Sequence, residues 1–534
     1  MLNKSIQWRR AIMCVVSLLV LGGIFAFFFI LYPNHLYVRE QNMMFLLDNE
    51  YIRHYFTKPG WFACLAGDFV TQFLYYVGGG ATVITILLAL LLLALYGGLK
   101  VSLPRWVAFA VALLAVVYEG FRNIDTFYPL ASTVSLAGGA AMFQFYVYGS
   151  CNRYFHAFIG LLLMVISYWM LGYGFLLLGV LILVHSVRYR LWAQPIAVVL
   201  AAGFPWLMAG HYQFDEEKAY TYASGKWFCL PNWYEEDLYS VINSYYFGNY
   251  RKSATDALAF QKKYGPDRYF AYYYNLGNAM QNGLPDALLS SPYCSAKGLA
   301  VEMSNNTNYQ LMGCGCDLWL AMGHTTVAEH CAMLGLIFSP ESRNAKMVRK
   351  LAEINRLTGE KEVENKYRRM LDKMICYRWA AHSAAKKTQM ILPENDTIVT
   401  TNDIRGCFEN MAQNRLPNRM AIDYLLCYDL LTGALQPFCN DLQTYGRKVY
   451  SGKLPRIYQE ALLIVYASAK QHGDEQLASQ IQQYPVMQET MREFSDFNKA
   501  FAETNGNKQA LEPRFGKTYW FYLKFRVRRV GKVQ

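Results

Sequence analysis

Charge is scarce in this sequence, and it falls unevenly. Asp, Glu, Lys and Arg make up 17% of the 534 residues, against about 25% in an ordinary soluble domain. Nearly all the long uncharged runs precede residue 215, and the charged residues concentrate after it. This excludes a uniformly water-exposed chain and points to a membrane half joined to a polar half. Cysteine is also thin, with 12 scattered residues, too few for a disulfide scaffold at this length. Nine of them follow residue 215, so pairing among themselves leaves at least one over. Cys314-Gly315-Cys316 is the only close pair. A zinc site needs a second pair at defined spacing, so these two are read as a loop thiol pair or as redox-inert cysteines, with no metal and no cofactor expected. Catalytic signatures are missing too: no phosphate loop, no nucleophile elbow and no H-E-x-x-H occurs.

Acidic residues are outnumbered 39 to 51, giving a net charge of +12. No glycine-rich loop or basic-aromatic RNA signature accompanies that surplus, so nucleic acid is not an expected partner. Part of the surplus flanks apolar runs, where it orients a membrane protein. Another part is the basic aromatic tail 511–534, ending Lys524-Phe-Arg-Val-Arg-Arg-Val-Gly-Lys532, a composition suited to an anionic membrane surface.

The most informative stretch present is Tyr154–Val187, 34 residues without a single Lys, Arg, Asp or Glu. As one helix it would reach about 51 Å, while a bilayer core is about 30 Å thick. It is therefore one overlong helix or two short ones turned at Gly172-Tyr173-Gly174. The other expected spans are 10–31, 79–98, 104–119, 127–149 and 191–211, the last with a kink from Pro195 and Pro205. Two short helices bring the total to seven. Lys4, Arg9, Arg10, Lys100, Arg105, Arg153, Arg188 and Arg190 then share one side, which obeys the positive-inside rule at every loop. A single helix would strand Arg188 and Arg190 on the wrong side. The favoured topology is seven spans with a cytoplasmic N-terminus and an extracytoplasmic C-terminal domain, in an inner membrane.

The longest loop of the membrane domain (1–214) is 33–78. Met44, Leu47, Tyr51 and Tyr55 recur there at helical spacing, predicting an interfacial amphipathic helix that ends at Pro59-Gly60. Residues 61–77 read as a second interfacial segment or an extension of the next span. After residue 215 the chain turns to amphipathic helices. Gly248, Gly283, Gly323, Gly359, Gly433 and Gly473 each follow an apolar helix ending and precede another helical run, as C′ glycines do. Their intervals are 35, 40, 36, 74 and 40 residues, close to multiples of the 34-residue helix-turn-helix unit. The expected fold is all-α: a transmembrane helix bundle followed over 215–510 by a TPR-like helical-repeat domain.

One polar constellation lies beside the membrane: Glu40, Asp48, Glu50, Arg53, His54 and Asp68. The architecture is similar to polyprenyl-phosphate-dependent glycosyltransferases of the multi-span type, whose first outer loop carries acidic residues. In that reading Glu40, Asp48, Glu50 or Asp68 would act as base or metal ligand, against the plainer reading of a solvated polar face. His156 and His185 are read as interfacial rather than as a relay. Tyr269-Phe-Ala-Tyr-Tyr-Tyr274 is read as core packing, with sugar or peptide stacking as its alternative. Asp396-Thr397-Ile398 matches a short O-glycosylation pattern.

The chain further resembles the DUF6057 family, multi-span membrane proteins of Bacteroidota. Carrying the likeness are Glu40-Gln41, Pro59-Gly60-Trp61, Gln72-Phe73, Leu351–Asn355, Asn418-Arg-Met-Ala421 before Tyr424-Leu, Leu454-Pro-Arg-Ile-Tyr-Gln-Glu-Ala461 and Phe515-Gly-Lys-Thr-Tyr-Trp520. The resemblance implies a several-span membrane half with a helical-repeat domain in the cell envelope, and it transfers no catalytic residue. The leading expectation is a scaffold in the lipid bilayer whose repeats bind a protein or peptide partner. The alternative is a membrane glycosyltransferase or ligase on polyprenyl-linked sugar. The residues leave catalysis open and weigh against it.

Overall fold

The computed structural model describes residues 2–149, 153–212, 215–302, 309–378, 391–394 and 403–527, and among these helices are the only regular elements. The chain divides into two compact units. The first joins Met1–Glu236 with Arg343–Lys346 and Arg368–Ser383; the second comprises Asp237–Ser342, Met347–Tyr367 and Ala384–Gln534.

The first unit contains α1 (Leu2–Ala26), α2 (Asn34–Gln41), α3 (Asn49–Tyr55), α4 (Trp61–Thr71), α5 (Gly79–Ser102), α6 (Arg105–Arg122), α7 (Leu130–Tyr148), α8 (Arg153–Leu171), α9 (Gly174–Tyr189), α10 (Ala193–Ala202) and α11 (Phe204–Tyr212). Among the described residues four helical stretches are long and apolar enough to cross a membrane: Gln7–Leu31, Gly79–Ser102, Leu130–Tyr148 and Ala193–Tyr212. α6 is long enough but carries Arg105, Glu119 and Arg122, while Phe155–Leu171 and Gly174–Tyr189 are apolar and shorter. α5 packs on α1, α6 and α7, and α7 packs on α4, α8 and α9. Leu88, Leu91, Val116, Phe143 and Leu178 are among the residues of their shared core.

The uncharged stretch is two helices. α8 and α9 are separated by Gly172, whose φ of +64° is the left-handed geometry that glycine adopts without strain. Next to it the Tyr173 amide donates to the Tyr222 carbonyl at 3.3 Å. Immediately beyond, α9 presses its first residue onto α7. A Cβ on Gly174 would lie 2.3 Å from the Ser135 carbonyl oxygen, and one on Gly139 2.5 Å from the Gly174 oxygen. Small residues at such a crossing let the backbones touch, the close approach on which helix association in lipid depends. The 191–211 span breaks at Gly203, two residues before Pro205 and not at Pro195.

The first loop departs from expectation. Its amphipathic helix begins only at Asn49: residues 43–48 carry no regular secondary structure, and the Leu47 amide donates to the Lys373 carbonyl at 2.8 Å. Met44 and Leu47 therefore do not belong to the helix that carries Tyr51 and Tyr55. α4 packs on α7 and α8, and Gly78 at φ +74° separates it from α5, so it is not a continuation of that helix.

In the second part of the chain the glycine pattern is reproduced in the backbone. Gly248, Gly323, Gly359, Gly433 and Gly473 all have φ between +73° and +89° and each joins two helices. At the sixth mark the left-handed residue is Asn282 (φ +57°), one position before the expected Gly283. Asparagine is the usual substitute there. The helix before Gly323 runs from Tyr309 and that before Gly359 from Ala345. Phe497, Leu511, Phe515, Trp520 and Phe521 form a cluster of their own. The segment after residue 510 is thus folded through Phe525, while 528–534 lie outside the described residues.

Candidate functional site

The second unit holds a cleft of about 850 Å³. Its walls come from five separate places: the short helical segment Pro285–Ser290, the N-terminus of helix Arg419–Thr432, the segment Tyr450–Glu460, Met487 with Glu493 at the start of helix Gln488–Glu503, and Arg514–Thr518. Three of the stretches that carry the family likeness, at 418–421, 454–461 and 515–520, supply part of this wall.

Its charge is unbalanced. Arg419, Lys453, Arg456, Arg514 and Lys517 face the cleft with Asp286, Glu460 and Glu493. Arg456 pairs with Glu460 at 2.9 Å and also contacts Glu493. Arg514 pairs with Asp496 at 2.6 Å, and Arg419 approaches Asp423 at 3.6 Å while lying over the Tyr450 ring. Lys453 and Lys517 are exposed and make no ion pair among the described residues. A buried floor holds these groups in place. Glu460 accepts from the Tyr519 amide at 2.6 Å, and Gln459 donates to the Leu454 carbonyl and accepts from the Met487 amide. Asp423 accepts from the Tyr450 and Tyr458 hydroxyls; its burial pushes the carboxyl up to about 6, against the opposing pull of those two hydrogen bonds. Rigid, satisfied polar groups beneath two uncommitted ammonium groups suit an extended anionic segment.

The first-loop candidates are dispersed by comparison. Glu40 is 3% exposed and accepts from the Tyr377 hydroxyl at 3.0 Å; burial pushes its carboxyl up to about 8. Asp68 is buried and accepts from the Tyr55 hydroxyl at 2.7 Å and from Arg343 at 3.3 Å. Asp48 pairs with Lys373 at 3.1 Å, and Glu50, Arg53 and His54 are exposed. Cys314 and Cys316 are both buried within helix Tyr309–Met322, two residues apart and so on different faces of it. His156 bonds the Tyr146 carbonyl at 2.8 Å and His185 the Ser102 hydroxyl at 2.9 Å. Phe270, Tyr272, Tyr273 and Tyr274 are buried, and the three tyrosine hydroxyls donate to Cys314, Asp317 and Ala287. That run is core. Asp396-Thr397-Ile398 lies outside the described residues.

One polar network is not legible in the sequence as such, and it centres on Glu119 and Arg122. They form a buried pair at 3.0 Å at the end of α6. Glu119 accepts from the Tyr128 and Thr133 hydroxyls; Arg122 donates to the Tyr173 hydroxyl at 3.1 Å and to the Lys226 carbonyl at 3.0 Å. Tyr173 sits in the turn between α8 and α9, so this network pins that turn. The available signal was an acid and a base three residues apart ending an apolar helix.

The class defined by these features is a protein whose described residues are all-helical, with four helices among them long and apolar enough to cross a membrane and a polar cleft in its second unit. Residues 7–526 match the model of DUF6057, a family of unknown function, and the chain belongs to that family. No curated protein and no solved structure matches it.

Proposed function

We propose that this protein is a multi-span inner-membrane scaffold of the Bacteroidota cell envelope whose TPR-like extracytoplasmic repeats bind an acidic protein or peptide segment. The observation that carries this reading is the cleft with Lys453 and Lys517 uncommitted above a satisfied floor. Helix pairs joined at left-handed glycines support the repeat reading, since such arrays build concave binding surfaces. The seven-span topology adds α6, α8 and α9 to the four longer helices. α8 and α9, at about 28 Å and about 24 Å, fall somewhat short of a bilayer core of about 30 Å, and basic residues end both. The membrane domain then closes near residue 214.

Binding is tested by purifying the full chain from its native membrane and comparing what accompanies it with a Lys453→Glu/Lys517→Glu variant. A protein that accompanies the parent and is lost from the variant supports the reading; identical companions sink it. Topology is tested with an impermeant thiol reagent on a Gln471→Cys variant in spheroplasts, because Gln471 is exposed whereas Cys316 is fully buried. Labelling only after lysis would overturn the extracytoplasmic placement.

A second reading, a membrane glycosyltransferase or ligase on polyprenyl-linked sugar, draws on Glu40, whose raised pKa keeps it protonated near neutral pH as a general acid requires. Single replacement of Glu40, Asp48, Glu50 and Asp68 without loss of function would eliminate it.

A further inference from the structure

We infer that the groove between α1, α5 and α6 is a binding site for an anionic phospholipid of the leaflet at the Arg10 end. The inference rests on the membrane reading above. The groove has a volume of about 690 Å³. Its length is lined by Leu18, Leu21, Ala89, Leu92 and Leu93, and one end by Arg10, Lys100 and Arg105. Topology brings those cations together: Arg10 precedes the apolar part of α1, Lys100 lies in the last turn of α5, and Arg105 opens α6.

Chemistry divides the groove into two parts. No carboxylate lines it, and Arg10, Lys100 and Arg105 make no ion pair among the described residues. Three uncompensated cations at one mouth attract a phosphate, and two of them being guanidinium groups allows bidentate contact. Tyr96 lies just inside, with the Lys100 ammonium 5.9 Å from its ring centre. From Arg10 to Leu21 on α1, and from Lys100 to Ala89 on α5, the walls run 11 residues, about 16 Å of helix. Half of a bilayer core is about 15 Å. A headgroup at the cations therefore places its acyl chain along one leaflet, against leucines that include the widely exposed Leu18 and Leu93. Zwitterionic lipid would satisfy the apolar wall and leave the net positive mouth without a counter-charge.

The probe is phosphatidylglycerol against phosphatidylethanolamine of identical chains, added to the detergent-purified full chain and counted by native mass spectrometry. The parent should retain phosphatidylglycerol preferentially. Each cation replaced by Gln in Arg10, Lys100 and Arg105 should lower that preference about fivefold. Arg9→Gln, at the same end but outside the groove lining, should leave it unchanged. Ala89→Trp should lower occupancy by both lipids. Equal retention of the two lipids by the parent, or an Arg9 effect as large as that of Arg10, would overturn the site in favour of general surface charge. A chain that leaves the membrane fraction without detergent would instead overturn the membrane reading itself.

Discussion

The ion pair between Asp317 and Lys350 ties helix Tyr309–Met322 to helix Ala345–Thr358 through the middle of the second unit. The Lys350 side chain is 6% exposed and that of Asp317 3%. Besides the carboxylate, the ammonium donates to the Gly313 carbonyl at 3.2 Å. The other Asp317 oxygen accepts from the Tyr273 hydroxyl at 2.8 Å. Asp317→Ala therefore strands a buried ammonium, which costs about 3–5 kcal/mol, and leaves a buried hydroxyl unmatched for about 1 kcal/mol more. At about 2–4 °C per kcal/mol for a unit of this size, the melting temperature should fall by roughly 8–24 °C. Lys350→Met alone should also destabilise, by leaving the carboxylate buried. Asp317→Leu/Lys350→Met removes both charges and should recover most of the loss, because the pair's attraction is offset by the desolvation of its own members. Thermal unfolding of the detergent-solubilised full chain at pH 7 measures all three. Single variants that melt with the parent, or a double variant no better than the worse single one, would refute this account of the core.

Three further outcomes follow from particular contacts. Glu40 binds its proton more tightly folded than unfolded, so its contribution is present below about pH 4.5 and lost as pH rises to about 8. Glu40→Gln should flatten that decline by up to about 5 kcal/mol, read as melting temperature against pH; a parent whose stability rises over the window contradicts it. Gly174→Leu should separate α7 from α9, because its Cβ falls on the Ser135 carbonyl, and should destabilise the first unit by more than about 3 kcal/mol; unchanged protease resistance in detergent would disprove the contact. Trp520→Ala should cost about 3–5 kcal/mol, since Trp520 is 2% exposed in the cluster with Phe497 and Phe515. A melting temperature equal to the parent's would show instead that residues after 510 contribute nothing to the unit.

By itself the sequence determined the local decisions. A run of 34 uncharged residues cannot be one bilayer-crossing helix of ordinary length, and glycine at 172 supplies the left-handed turn that breaks it. Glycines after apolar helix ends likewise determined five of the helix-to-helix joints, with Asn282 taking the sixth through the same backbone geometry. These are short-range matters of sterics and hydrogen bonding, and a few residues suffice to decide them. Pairing at a distance came from the folded chain alone. Glu40 meets Tyr377 and Asp68 meets Arg343, so two carboxylates that looked like a shared loop constellation are buried with separate partners. Arg343–Lys346 and Arg368–Ser383 belong to the first unit, although nothing in their composition sets them apart from the helices around them. The cleft is assembled from stretches near 286, 419, 456, 490 and 517, whose lysines and arginines read individually as solvated surface. Which of those cations lacks a partner depends on which carboxylates folding brings within about 4 Å, and no spacing along the chain encodes that.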